Sequence, residues 1–269
     1  MDYRKQYESL QFKDDFMFGV VMSDLSIAKS VLSVILAEEI PDIQNCELQK
    51  TLKNDSYSHG VRYDVYIQSA DGTKVYDIEM QTANTDDLPK RSRYYQSSSD
   101  MDFLGKGQLY KSLPETYVIF LCDFDLFEKG NAVYQFENVC TEENLFLHDG
   151  TYKLFLNTNG HTQRKELQNL MTYIKENSPT DDLTEHIQAK IQDAQHDGKL
   201  YSQYVKEQQN ELLIREKGRA EGRAEGRAEG RAKTIKQLIK NGLSIDKVIS
   251  LLEMSNDEVL LYFGNTQTT

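Results

Sequence analysis

The sequence predicts an α/β protein with a mixed sheet, followed by a helical C-terminal part. A β-hairpin formed by residues 61–68 and 74–81 is the first observation. The second is a nearly continuous apolar run over residues 115–122, which has the length of a strand covered on both faces. The third is a change near residue 166, after which the chain becomes polar and helical in pattern.

Residues 13–40 predict helix, because apolar side chains recur there at spacings of three and four. Ser23 and Asp24 divide this segment into two helices, and one of the two residues is expected to act as an N-cap. Pro41 ends the segment.

The hairpin is predicted from its turn, because Asp71-Gly72 lies between the two β-rich runs. The sequence predicts that the next helix lies over residues 85–110. Residues 134–139, 145–147 and 153–156 predict shorter strands at the margin of the sheet.

Side chains alternate along a strand, so Asp77, Glu79 and Gln81 share one face of the second hairpin strand, and the intervening apolar residues face the core. Asp64 on the first strand then approaches Glu79 or Gln81, depending on the register. Such oxygen ligands suit Mg²⁺. A solvated acidic face is the alternative, although acids on a central strand favour a site.

The net charge of the chain limits the functions that the sequence allows. The 269 residues carry 31 Lys+Arg and 43 Asp+Glu, a net charge of −12, which argues against nucleic-acid binding by bulk charge. Residues 211–269 carry +1 and residues 1–210 carry −13. Any DNA affinity is therefore expected to be weak, sensitive to salt and dependent on a few local basic groups.

Three scattered cysteines predict reduced core thiols and a cytoplasmic protein. The chain has no apolar run of the roughly 20 residues that span a bilayer. Its N-terminus lacks the apolar segment of a signal peptide. We therefore expect no membrane partner.

Several segments together resemble a known family. Asp64 is followed after 14 residues by Glu79-Met80-Gln81, which is similar to the PD-(D/E)XK nuclease motif with Gln in place of Lys and Tyr63 in place of Pro. More narrowly, the chain resembles the PD-(D/E)XK nuclease family transposases, also called the recombination-promoting nuclease (Rpn) family. The resembling segments are KDDFMFG (13–19), VRYDV (61–65), DIEMQ (77–81), RSRYYQ (91–96), GQLY (107–110) and YVIFLCDFD (117–125).

The resemblance implies a restriction-endonuclease-like αβββαβ core that cleaves DNA with a metal ion. Asp64 and Glu79 would hold Mg²⁺, which activates water and stabilises charge on the scissile phosphate. Gln81 would occupy the usual lysine position, where a neutral amide orients water but cannot offset charge. Asp15 is a candidate for an additional acid from the first helix, and Asp77 for a group that supports the metal ligands.

The resemblance also implies that Arg91, Arg93 and Tyr94 face the DNA phosphates, since Arg pairs strongly with phosphate. The alternative is that Arg91 and Arg93 solvate their helix while Tyr94 and Tyr95 pack in the core.

The C-terminal part contains a four-residue repeat, Gly-Arg-Ala-Glu, over residues 218–233. Each repeat places like charges at i,i+4, and each glycine costs roughly 1 kcal/mol relative to alanine in a helix. The repeat is therefore a marginal helix or a flexible tether. Residues 242–260 have a helix–turn–helix rhythm with Ser244 and Ser255 as caps. Acids at 257 and 258 would repel phosphate, which favours a packing or oligomerisation unit over a DNA reader.

We therefore expect a nuclease-like domain over 1–165, a helical extension over 166–217, the tether over 218–233 and a small helical unit over 234–269. The expected function is a metal-dependent DNA endonuclease linked to recombination or transposition-like events. A catalytically weak or inactive relative, which binds or oligomerises within a mobile-element or defence system, is the alternative. A nuclease regulated by self-association through the tail is compatible with the first.

Overall fold

The computed structural model describes residues 2–52 and 61–252, together with residues 254 and 259. Its contacts divide the chain into two units, Met1–Ser202 and Gln203–Thr269. The helices are α1 (Tyr3–Glu8), α2 (Asp15–Met22), α3 (Leu25–Leu36), α4 (Leu88–Phe103), α5 (Lys165–Glu176), α6 (Asp182–His196), α7 (Gly198–Lys240) and α8 (Ile245–Leu252). The strands are β1 (Ile43–Leu48), β2 (Thr51–Leu52), β3 (Val61–Arg62), β4 (Val65–Ser69), β5 (Lys74–Gln81), β6 (Glu115–Cys122), β7 (Val133–Phe136), β8 (Val139–Cys140), β9 (Leu145–Phe146) and β10 (Thr151–Asn157).

The first unit is built on a six-stranded sheet with the strand order β1-β4-β5-β6-β10-β7. The central strands β5, β6 and β10 run parallel, and the strands outside them pair antiparallel. Two short antiparallel pairs, β2–β3 and β8–β9, lie apart from this sheet. The predicted α/β class with a mixed sheet and a helical C-terminal part is confirmed.

The sheet separates two layers. One face packs on α2, α3, α5 and α6 through a large apolar cluster that includes Ile78 and Ile119. The other face carries α4, with Phe120 and Leu88 in a smaller cluster. Strand β6 is thus buried on both sides, which explains the continuous apolar run in its sequence.

The hairpin forms around the predicted turn. Gly72 has φ +70, a left-handed conformation that glycine adopts without strain. The carboxylate of Asp71 accepts hydrogen bonds from the Ser69 hydroxyl at 2.6 Å and the Thr73 amide at 3.0 Å. In the resulting register Val65 faces Ile78, so that Asp64 comes opposite Glu79 one step further along.

The first hairpin strand is shorter than predicted, because residues 61–68 do not form one strand. The chain leaves the sheet at Tyr63 and Asp64, between β3 and β4. There the Tyr63 amide donates to the Lys50 carbonyl at 2.9 Å, and the Asp64 carbonyl accepts from the Gln49 amide at 3.0 Å. These bonds draw the segment toward the turn between β1 and β2.

Two other predictions about the elements were wrong. Residues 153–156 lie inside the sheet, because β10 pairs with β6 on one side and β7 on the other. The helix predicted over 85–110 is shorter, because α4 spans only Leu88–Phe103. Beyond it, Gly107 has φ +87, which is outside the range of a right-handed helix. Among the cysteines, Cys122 is buried and Cys46 is half-buried, whereas Cys140 is exposed and not a core thiol.

In the second unit the Gly-Arg-Ala-Glu repeat is helical and forms part of the 43-residue helix α7. Ile235, Val248 and Val259 form the buried centre of this unit. Ser244 precedes α8, whereas Ser255, Asp257 and Glu258 lie outside the described residues. Whether the repeat acts as a tether, and whether the four-part division of the chain is correct, stay predictions.

In the part of the chain that the structure describes, no single helix is long and apolar enough to cross a bilayer. Among the described helices, the pair α2 and α3, bent by 102° between them, reaches that length and composition when taken together.

Asp24 separates α2 from α3 as an N-cap, as the sequence predicts. Its Oδ1 accepts from the Ser26 amide at 3.1 Å, and its Oδ2 lies 3.1 Å from Lys190 Nζ. We expect Asp24→Ala to lower the free energy of unfolding by about 1 kcal/mol, the usual cost of removing such a cap. Urea unfolding measures this loss. Asp42→Ala removes only an exposed ion pair with Lys29 and should cost less; equal losses would contradict the capping role.

Candidate active site

Asp64 and Glu79 meet where the chain leaves the sheet. The Asp64 amide donates to Glu79 Oε1 at 2.9 Å, and the Met80 amide donates to Asp64 Oδ2 at 3.1 Å. In a continuous β-ladder these two backbone amides would donate to carbonyl groups of the neighbouring strand. Here they donate to the two carboxylates instead. The structure therefore brings together the two residues that the sequence predicts as metal ligands.

Asp77 lies on the same face of β5 and is fully buried. Within the described residues, no donor is hydrogen-bonded to either of its carboxyl oxygens. Its side chain lies against that of Glu79, and two carboxyl groups form a hydrogen bond only if one of them holds a proton. Burial, followed by the charge of Glu79, raises the pKa of Asp77 well above its usual value.

Arg91 reaches the carboxylates from the first turns of α4. Its Nη2 lies 3.2 Å from Glu79 Oε2, and its Nη1 donates to Gln81 Oε1 at 2.9 Å. Nη2 also donates to the Tyr95 hydroxyl at 3.2 Å. The guanidinium carbon lies 5.2 Å from the ring centroid of Tyr95 and 5.3 Å from that of Phe120. Arg91 is therefore held against the site and does not simply solvate its helix.

The pKa values of the two facing carboxyls are raised. The pKa of Glu79 rises to about 8, mainly through burial and then through the charge of Asp64. The pKa of Asp64 rises to about 6, mainly through burial and then through the charge of Asp15. The charge of Arg62 lowers the pKa of Asp64 and the charge of Arg91 lowers both pKa values, but these effects do not cancel the increase. The ionised forms of these carboxyls are therefore costly in the absence of an added cation.

The other predicted residues occupy different positions. Asp15 is exposed in the first turn of α2, close enough for its charge to act on Asp64. Arg93 is exposed on α4, and Tyr94 is 41% exposed, so Tyr94 does not pack in the core. The contacts of the carboxylates described above involve Arg91 rather than these two residues.

Sequence reasoning did not assign Tyr95, Lys13 or Asp123 to the site. Tyr95 packs in the core, as its alternative interpretation predicted, but its hydroxyl faces Arg91. The Asp123 amide donates to the Gln81 carbonyl at 3.0 Å, and Lys13 Nζ lies 3.6 Å from Asp123 Oδ2. Residues four apart are neighbours on the surface of a helix, so the spacing of Arg91 and Tyr95 was a signal in the sequence that the tyrosine lies beside the arginine.

A family model described as PD-(D/E)XK nuclease family transposase matches residues 11–210. The chain belongs to this family. The match confirms the resemblance and extends past residue 165 through α5 and α6, which pack on the same core as the sheet. No curated protein and no solved structure matches the chain.

The site of this PD-(D/E)XK protein has the chemistry that a hard divalent cation requires. Within the described residues no three His, Cys, Asp or Glu side chains form a ready metal cage. Mg²⁺, however, is usually bound by one or two carboxylates, water and substrate phosphate. Asp64 and Glu79 supply two carboxylates, and Asp77 adds a third, buried carboxyl. This donor set fits the ion, whose charge would favour the ionised form of each carboxyl.

We expect Glu79→Gln to be more stable than the wild type at pH 8 without divalent cations, by about 1 kcal/mol or more. The pKa of Glu79 is about 8 in the folded protein and close to 4 when unfolded. The stabilisation from this group is therefore full below about pH 4 and lost as the pH rises toward 8.

Urea unfolding at pH 5 and pH 8 in a chelator measures this difference, which should shrink at pH 5. Glu137→Gln is the matched control, because Glu137 is exposed just past β7 at the opposite edge of the sheet. A similar pH-dependent gain in both variants would show that the carboxyl of Glu79 is not the cause.

Proposed function

We propose that the protein is a Mg²⁺-dependent DNA endonuclease that hydrolyses phosphodiester bonds in recombination or transposition-like events. The observation that carries this proposal is the convergence of Asp64 and Glu79, with raised pKa values, in a member of the PD-(D/E)XK nuclease transposase family. Buried carboxyls with perturbed pKa values are concentrated at functional sites.

Asp64 and Glu79 would hold the metal ion. When bound, Mg²⁺ would activate water and stabilise the charge that develops on the scissile phosphate. The backbone amides of Asp64 and Met80 each donate to one of the two carboxylates, which restricts the orientation of both side chains. Asp77 supports Glu79 from inside the protein, and the exposed Asp15 adds negative charge beside Asp64.

The DNA would approach from the side of α4. Arg91 is 29% exposed in its side chain, and Arg93 and Tyr94 are exposed on the same helix. These residues would provide a few local phosphate contacts on a unit whose overall charge is negative, so binding should be weak and should weaken further with salt. We place the activity in the cytoplasm, with self-association through the C-terminal helices as a further part of the proposal.

A binding role without catalysis is the second candidate. The observation that favours it is the ion pair between Arg91 and Glu79, which already occupies one oxygen of a proposed metal ligand. The two functions differ in whether the carboxylates are needed for cleavage.

Supercoiled plasmid incubated with Mg²⁺ provides the test. We expect the wild type to nick it, and Asp64→Asn and Glu79→Gln each to lower the rate on the order of 100-fold or more, because each removes a metal ligand. Glu137→Gln should nick at the wild-type rate. If the wild type is inactive, or if all four proteins nick equally, the nuclease proposal is wrong.

A further inference from the structure

Both the oxygen and the nitrogen of the Gln81 side-chain amide form hydrogen bonds. Its Oε1 accepts from Arg91 Nη1 at 2.9 Å, and its Nε2 donates to the Ala83 carbonyl at 2.6 Å. The second bond fixes which end of the amide faces Arg91. The oxygen of Gln81 is therefore directed at the guanidinium.

Arg91 is preorganised by contacts on several sides. Gln81 and Glu79 accept from the ends of its planar group, the Tyr95 hydroxyl accepts from Nη2, and two aromatic rings lie beside it. A planar guanidinium fixed in this way is suited to pair with a phosphate. The side chain keeps 29% of its surface exposed, so an anion can reach it.

We propose that Arg91 supplies the positive charge for the phosphate that is cleaved, and that Gln81 is a positioning residue that holds Arg91. The cationic group then comes from α4 and not from the motif strand β5, where Gln81 is neutral. The inference rests on the proposed nuclease function. It differs from the earlier expectation that Gln81 itself orients water.

The proposal makes a specific prediction about replacing Gln81 by lysine. A lysine there would place an ammonium group beside the guanidinium, and two like charges at hydrogen-bond distance repel each other. If Gln81 instead acted directly as a lysine substitute, the same change would improve the site. The two interpretations therefore predict opposite effects of Gln81→Lys.

The experiment compares Gln81→Lys, Arg91→Gln and the double variant, which moves the charge from the helix to the strand. We expect each single variant to nick plasmid on the order of 100-fold more slowly with Mg²⁺, the usual effect of losing one stabilising donor. The double variant should recover to within about tenfold of the wild type, since one cation is again present. Lys90→Gln is the matched control, because Lys90 is exposed on α4 and should not affect the rate.

DNA affinity provides a second measurement that does not need cleavage. Fluorescence anisotropy of a labelled duplex in Ca²⁺ gives the slope of log Kd against log salt. If Arg91 contacts a phosphate, the slope should fall by about one in Arg91→Gln and return in the double variant. Thermal unfolding of each variant confirms that it is folded.

Three outcomes would overturn the inference: a Gln81→Lys variant as active as the wild type, a folded double variant no better than the singles, or an unchanged salt slope in Arg91→Gln. A wild type that binds DNA without cutting it would instead contradict the nuclease function. The salt slopes would then decide whether Arg91 contacts phosphate.

Discussion

Three carboxyl groups, Asp64, Asp77 and Glu79, lie on one face of the sheet beside the guanidinium of Arg91. Removing a charge from water is costly unless it is paired, hydrogen-bonded or protonated. The structure meets this constraint in all three ways, with backbone donors for Asp64 and Glu79, the Arg91 ion pair, and a raised pKa for Asp77. In this arrangement an added cation would stabilise the ionised form of each carboxyl.

The neighbouring elements are organised around the same site. Helix α4 packs on the sheet with buried polar side chains, Ser92, Gln96, Ser98 and Ser99, in addition to apolar ones. This helix carries Arg91 to the carboxylates, and the tyrosines at 63 and 95 connect it to β3 and β4 through the bond from the Tyr63 hydroxyl to the Tyr95 carbonyl at 2.9 Å. The break in the hairpin at Asp64 is part of this geometry, because it frees the Asp64 amide to bond Glu79.

Residues 1–210 carry a net charge of −13, and the three clustered carboxyl groups belong to this acidic part of the chain. The acidity did not exclude DNA, since phosphate contacts depend on where the few basic groups lie and not on their total number. Arg91 is the basic group that bonds the carboxylates, and its direction follows from the fold of α4 against β5. In the second unit the repeat is helical, although its glycines and like-charge spacings oppose a stable helix.

Local physics determined a large part of the structure. Side-chain alternation placed Asp77, Glu79 and Gln81 on one face of β5, the Asp-Gly pair defined the turn, and the apolar run identified β6 as buried. These features depend on neighbours in the chain, so they are visible in the sequence. Tertiary structure alone decided that the strand breaks at Asp64, that β10 lies inside the sheet, and that Arg91 turns toward Gln81 instead of toward solvent. Each of these depends on contacts between segments distant in the chain, for which no single stretch of sequence carries the pattern.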